Sequence, residues 1–287
     1  MEDNKINNIT ILSYNSTGFS VDKQIFINIL LSVLKNNTPI LCGQEHFIQS
    51  GNKKTKHLLQ KVITAFPGFK CFASPAINAN SEVIGGRAKG GLWICWPQDL
   101  DTYVKRIKTT HWRVQAVIFD FEYIKICLIN VYHLTDPKIV NEDEFNDDEL
   151  NGVFRAIDKI RTKEEFDELI IAGDRNADFD RINAFVNKVK RFDNERNLQY
   201  SWNKFDIDYT HIHTDDISTD RLDHFMWTNG LSDHIIDGGV LHLNDNLSRH
   251  SPIWIKLNVK NIVRNTEEEV KIAEEIAWAI GSDPGVH

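Results

Sequence analysis

The sequence has no long apolar run. No stretch approaches the ~18 consecutive apolar residues that a spanning helix needs, so no membrane span is expected. The opening residues MEDNKINNIT hold no apolar signal region, which predicts an intracellular rather than a secreted protein. The Asn-Ser-Thr match to a glycosylation acceptor at Asn15 is then without a role. None of the four cysteines, Cys42, Cys71, Cys95 and Cys127, belongs to a C-x-x-C pair. Cys42, Cys95 and Cys127 sit inside apolar runs, and the set reads as reduced, buried thiols. Internal repeats and low-complexity linkers are absent as well. Nor is there an excess of positive charge: 33 Lys and Arg face 41 Asp and Glu, a formal net charge of −8. A nucleic-acid binder wants a basic surface, so the overall balance counts against one.

What is present is ordinary globular material. The chain has 287 residues, 26% of them charged and 41% hydrophobic, enough to bury a large core without staples. Much of the acidity falls at 141–150 and 264–275. With a Debye length of ~8 Å, distant acids are largely screened from a cleft elsewhere. The segments 52–57, 104–113 and 188–191, with Arg87 and Lys89, offer a positive rim; a solvated lysine-rich face is the competing reading. The balance is compatible with DNA binding of modest non-specific affinity.

Apolar runs alternate with helical spacing. Strands are expected at 9–15, 39–46, 69–76, 90–97, 112–121, 123–134, 221–229, 238–243 and 251–259, and 167–179 reads as a strand running into a loop. Ile25, Phe26, Ile29, Leu30, Val33 and Leu34 recur at helical spacing, as do Leu58, Leu59, Val62, Ile63 and Phe66, and Val153, Phe154, Ile157 and Ile160. This pattern predicts a two-layered β core flanked by helices. From 265 to 280 the texture changes to an acidic helix, with Thr266 and Glu269 forming a capping box.

Several strands end in polar residues that a core does not need. Asn15 follows ILSY; Gln44, Glu45 and His46 follow ILCG; Asn130 and Tyr132 interrupt LINVY. Asp174 and Asn176 follow LIIAG, Asp223 and His224 sit in RLDHF, and Ser248 and His250 precede SPIWIKL. Any one of these alone reads as a loop cap or a surface charge. As a set they are chemically coherent. Carboxylates offer hard oxygen ligands that suit Mg²⁺. A carboxylate beside a histidine fixes the imidazole's tautomer. Asn and Tyr supply donors for a phosphoryl oxygen whose charge grows in a transition state. Together they suit metal-assisted attack of water on a phosphodiester.

The ordered motifs SYNSTG, GQEH, GGLWI, NVY, GDRN, RLDHF and LSRHSP resemble the endonuclease/exonuclease/phosphatase superfamily, and in particular the apurinic-type endonuclease domain of non-LTR retrotransposons. The match spans roughly 9–257. It implies a DNase I-like four-layer α/β sandwich over 1–262, with 263–287 as an appended acidic helix or linker. It further implies that Asn15 orients the site carboxylates, that Glu45 ligates the metal and that Tyr132 contacts phosphate. Asp174 and Asn176 would handle the attacking water and the phosphate, and Asp223 would pair with His250. Asn130, Arg249, Arg87 and Lys89 are the candidates for holding substrate. The implied activity is Mg²⁺-dependent (Mn²⁺ as the alternative) nicking of double-stranded DNA in the nucleus, with a reverse transcriptase domain as the expected neighbour.

Two histidine stretches compete, LSDHII at 231–236 and LSRHSPIWIKL at 247–257. His250 lies directly before the last strand, as the resemblance requires, whereas His234 reads as a turn residue. Two positions depart from the pattern. Arg175 replaces an aromatic or apolar residue and should point away from the site. Arg249 replaces an acid with a fixed cation and is expected to weaken the metal site. Two other readings stay open: a catalytically silent DNA-binding module, and a phosphodiesterase or phosphatase acting on a lipid or nucleotide.

Overall fold

Two β-sheets with buried faces organise the chain. The computed structural model describes residues 8–33, 39–49, 64–78, 88–121, 124–134 and 147–259. The run at 52–57, most of the expected helix at 58–66, Arg87 and the tail from 263 lie outside the described residues. The order begins β1 (Asn8–Asn15), α1 (Val21–Val33), β2 (Pro39–Gln44), β3 (Phe69–Ser74), β4 (Ile77–Asn78), β5 (Ala88–Lys89), β6 (Leu92–Pro97), β7 (Val104–Ile107), β8 (Val114–Asp120) and β9 (Lys125–Tyr132). It continues through α2 (Asp147–Lys163), β10 (Glu168–Asp174), α3 (Ala184–Asn194), β11 (Leu198–Tyr200), β12 (His211–Ile212), β13 (Thr219–Asp220), β14 (Asp223–Thr228), β15 (Ile235–Val240) and β16 (Ile253–Asn258).

One six-stranded sheet has the order β15-β16-β1-β2-β6-β3, the other β11-β14-β10-β9-β8-β7. Alternation along each strand decides which layer a side chain joins. In β1, Ile9 and Ile11 face the other sheet and pack in one cluster with Leu128, Ile170, Ala172 and Phe225. Leu12 and Tyr14 face outward and pack with Phe26, Ile27, Leu30 and Leu31 of α1. On the far side, Ile129 and Ile171 meet Val153, Ala156, Ile157 and Ile160 of α2. The layers are therefore helix, sheet, sheet, helix. Burial on both faces explains why the central strands read as unbroken apolar runs.

The two sheets share an internal pattern. β1 pairs parallel to β2 and antiparallel to β16. β10 likewise pairs parallel to β9 and antiparallel to β14. In each case the carboxyl ends of the parallel strands lie beside the amino end of the antiparallel one. Asn15 and Gln44 are in register at one such edge, and Tyr132, Asp174 and Asp223 at the other.

The strand expected at 238–243 begins at Ile235, with a register irregularity between Ile235 and Asp237. The segment 188–191, read as charge, lies inside α3. Asn183 caps that helix by accepting from the Val186 N–H at 2.8 Å, and Phe185, Val186, Val189 and Phe192 are buried.

Candidate active site

Asn15 closes β1, and its amide joins two carboxylates. Its Nδ2 donates to Glu45 Oε2 at 3.0 Å and to Asp174 Oδ2 at 2.8 Å, while its Oδ1 accepts from the Thr17 N–H at 2.9 Å. Glu45 follows β2 with φ of 59°, and Asn176 follows β10 with φ of 49°. Non-glycine residues rarely adopt this left-handed backbone, and such strain concentrates at functional sites. Before Asp174, Gly173 has φ of 139°, and a Cβ there would lie 2.0 Å from the Val131 carbonyl oxygen. Only glycine lets β10 deliver Asp174 so close to β9.

His250 faces both acids of the second sheet. Its Nδ1 lies 2.8 Å from Asp223 Oδ2. Its Nε2 lies 3.9 Å from Asp174 Oδ2, beyond hydrogen-bond reach. Asp174, Asp223 and His250 are all buried, and one ligand atom from each falls within 4.8 Å of the others, a group that could hold a metal ion. His234 instead sits in the turn before β15, with its carbonyl accepting from the Asn258 N–H at 2.8 Å.

Electrostatics follows from this crowding. Burial pushes the Asp174 carboxyl up; the His250 cation opposes this, Asp223 and Glu45 add to it, and the result is about 7. Burial pushes His250 down, but the Asp223, Asp174 and Glu45 carboxylates outweigh it and hold the imidazolium up to about 9. Burial, then Glu45 and Asp174, pushes the Tyr132 phenol above its ordinary range. The donor set also fits a divalent cation. Three carboxylates face one imidazolium, and Asp223 Oδ1 is buried with no partner among the described residues.

The remaining candidates fall elsewhere. Asn130 is fully buried and saturated: it accepts from Gln44 Nε2 at 2.7 Å and donates to the Gly43 and Trp93 carbonyls at 2.9 and 3.0 Å. It is thus a tie between the two sheets and not a substrate contact, a correction to its expected role. Arg249 is also corrected. Its guanidinium donates to the His213 carbonyl and to Asp216 Oδ1, the latter at 3.3 Å, so it braces the turn at 213–216 and does not confront the carboxylates. Lys89 is exposed on β5. The rim expected at 104–113 is partly spent on internal pairs. Lys105 bonds Glu164 at 2.7 Å, and Arg113 is buried, bonded to Glu149 at 2.7 Å.

Arg113, Thr210 and Ser248 position this set, a role that their place in the sequence does not show. Arg113 Nη1 donates to the carbonyls of Tyr132 and His133 at 3.3 and 3.1 Å. Its guanidinium carbon lies 4.9 Å from the Tyr132 ring centroid. Thr210 Oγ1 accepts from the Leu222 and Asp223 N–H groups, each at 2.9 Å. Ser248 Oγ donates to the Asn15 carbonyl at 2.7 Å. A lone Thr or Ser in a loop carries no sequence signal for such work.

No family model and no curated protein matches the chain. Solved structures do. An AP endonuclease from Leishmania major superposes with a TM-score of 0.68 at 13% identity, covering 88% of each chain. The endonuclease domain of TRAS1, a telomere-specific non-LTR retrotransposon, gives 0.59 at 16% identity, covering 88% of this chain and 98% of that one. An AP endonuclease from Archaeoglobus fulgidus gives 0.59 at 15%, covering 86% and 98%. At these identities the shared property is the fold, the DNase I-like four-layer sandwich.

Proposed function

We propose that this chain is a divalent-metal-dependent DNA endonuclease that nicks double-stranded DNA by hydrolysing a phosphodiester, in the manner of a retroelement's target-nicking domain. The observation that carries the reading is the convergence of Asn15, Glu45, Asp174, Asp223 and His250, drawn from both sheets, on one edge of the sandwich. Glu45 would hold Mg²⁺, or Mn²⁺, which would supply charge neutralisation at a phosphoryl oxygen.

The protein's own groups take complementary roles. Asp174, poised near neutrality, is suited to accept a proton from the attacking water. Asp223 holds His250 by Nδ1 and leaves the Nε2 N–H as a charged donor toward phosphate. The Tyr132 phenol stays protonated and offers a second donor. Retroelement-like motifs and two nuclease neighbours support DNA as the substrate, with a nuclear location and a downstream reverse transcriptase as parts of the same proposal. The silent-module reading rested on Arg249, whose guanidinium is engaged with the 213–216 turn.

The test is nicking of supercoiled plasmid with and without Mg²⁺, run beside inositol phosphates and sphingomyelin. Plasmid nicking abolished by chelation, and lowered at least ~10²-fold by His250→Ala, is the expected outcome. Turnover confined to inositol phosphates or sphingomyelin would replace DNA with that substrate, and none anywhere would restore the silent module.

A further inference from the structure

Beside the proposed nuclease site, the β12–β13 hairpin gathers a second set of ligand-type side chains. His211 and His213 lie two apart along an extended segment, a spacing that puts both on one face. Asp220 stands opposite, paired in register with His211. One ligand atom from each of the three lies within 4.8 Å of the others. His213 Nε2 is 2.5 Å from Asp220 Oδ2, and the two imidazole centroids are 4.9 Å apart. His211 Nδ1 is buried with no partner among the described residues. The His213 side chain keeps 21% of its surface exposed, so the cluster can be reached from solvent.

We propose that His211, His213 and Asp220 form a transition-metal site for Zn²⁺, separate from the carboxylate site that would hold Mg²⁺. Two imidazoles and one carboxylate are the donor set that suits Zn²⁺, whereas Mg²⁺ keeps to oxygen ligands and water. Asp220 has an oxygen to share, because Arg181 takes Oδ1 while Oδ2 faces His213. A bound cation would replace the His213–Asp220 hydrogen bond with two metal bonds and give His211 a partner. The position gives the site a consequence. Thr210, adjacent to His211, holds the Asp223 N–H at 2.9 Å, and the His211 ring lies 4.6 Å from that of His250. Occupancy would thus stiffen the hairpin that backs the Asp223–His250 pair.

The experiment uses the full chain in millimolar Mg²⁺, so that the oxygen-rich site is already filled. Zn²⁺ binding is followed by calorimetry, Co²⁺ binding by its visible d–d bands, and folding by circular dichroism and melting. One equivalent of Zn²⁺ should bind and raise the melting temperature, since a ligand that binds only the folded state stabilises it. His213→Gln and His211→Gln should each lower the Zn²⁺ affinity by at least ~100-fold, more than the loss of an outer partner of a metal ligand costs, with the fold kept. Co²⁺ bands lacking the signature of imidazole ligation would overturn the proposal, and this reading needs no variant. So would Zn²⁺ binding that survives both substitutions or that displaces Mg²⁺ one for one. These outcomes are independent of whether the chain cleaves DNA.

Discussion

Arg175 and Asp193 form an ion pair with no exposed side-chain surface on either partner. Arg175 Nη2 lies 2.9 and 3.1 Å from the two carboxylate oxygens, and Tyr200 donates to the same carboxylate at 3.4 Å. The pair ties the loop that follows Asp174 and carries Asn176 to α3. Removing one partner leaves the other charge buried and unpaired. Arg175→Leu or Asp193→Leu should each cost about 3–5 kcal/mol, while the double substitution recovers much of it. Denaturant unfolding of the four proteins of this cycle measures the coupling. Additive losses would mean that the two groups do not depend on each other.

That pair marks the limit of what the sequence discloses. The site residues at strand ends are legible because apolar runs end abruptly in Asn15, Glu45 and Asp174 and the last one starts just after His250, each a polar type a core does not need. The orientation of Arg175 away from the site follows from alternation. Its partner does not, because Asp193 lies 18 positions on in a helix whose charged residues hid its apolar face. Asn130 misled for the opposite reason. A polar residue within a buried strand suggests function, yet a side chain between two sheets can be satisfied entirely by Gln44, Gly43 and Trp93. Arg249 misled because sequence position gives proximity to a site but not the direction of a long side chain.

Arg249 therefore carries a revised expectation. Its side chain is 45% exposed and that of its partner Asp216 81% exposed, so the ion pair contributes only about 0–1 kcal/mol. Arg249→Ala should leave the Mg²⁺ concentration dependence of nicking within about twofold of the unmodified protein, since each tenfold change would require ~1.4 kcal/mol at the metal. A large gain in Mg²⁺ affinity would return the guanidinium to the metal site.

Acid should unfold the chain steeply. His46, His133 and His224 are buried. Burial holds His46 at about 4, His224 at about 3 and His133 well below its ordinary range. The unfolded chain takes up these protons near ~6.5. Their contribution is thus complete above that pH and is lost as pH falls toward the folded values. Asp174 opposes them in the same window, because its raised carboxyl binds a proton first in the folded state. His211, held at about 4, acts in the same direction as the three, and each imidazole kept neutral in the fold contributes a slope of up to ~1.4 kcal/mol per pH unit. Urea unfolding at pH 7, 6 and 5 reads it directly, and His224→Gln should flatten it by up to ~1.4 kcal/mol per pH unit. Equal stability at pH 7 and 5 would contradict neutral buried imidazoles.

Asn15 offers the sharpest separation of positioning from mere packing. Its amide donates to Asp174 Oδ2 at 2.8 Å, a hydrogen bond that favours the ionised carboxylate and so draws the Asp174 carboxyl down against its burial. Asn15→Ala removes that donor. The Asp174 carboxyl then rises above about 7, and less of it is ionised at neutral pH. If Asp174 accepts the proton of the attacking water, nicking by Asn15→Ala should fall most below pH 7. The acid limb of its pH–rate profile should move to higher pH, and activity should partly return as the buffer is made more alkaline. Asn15→Asp should move the limb further, because a fourth carboxylate replaces a donor with a like charge. A loss of the same size at every pH would show that Asn15 only shapes the loop at Thr17, and the role of proton acceptor would pass from Asp174 to another group.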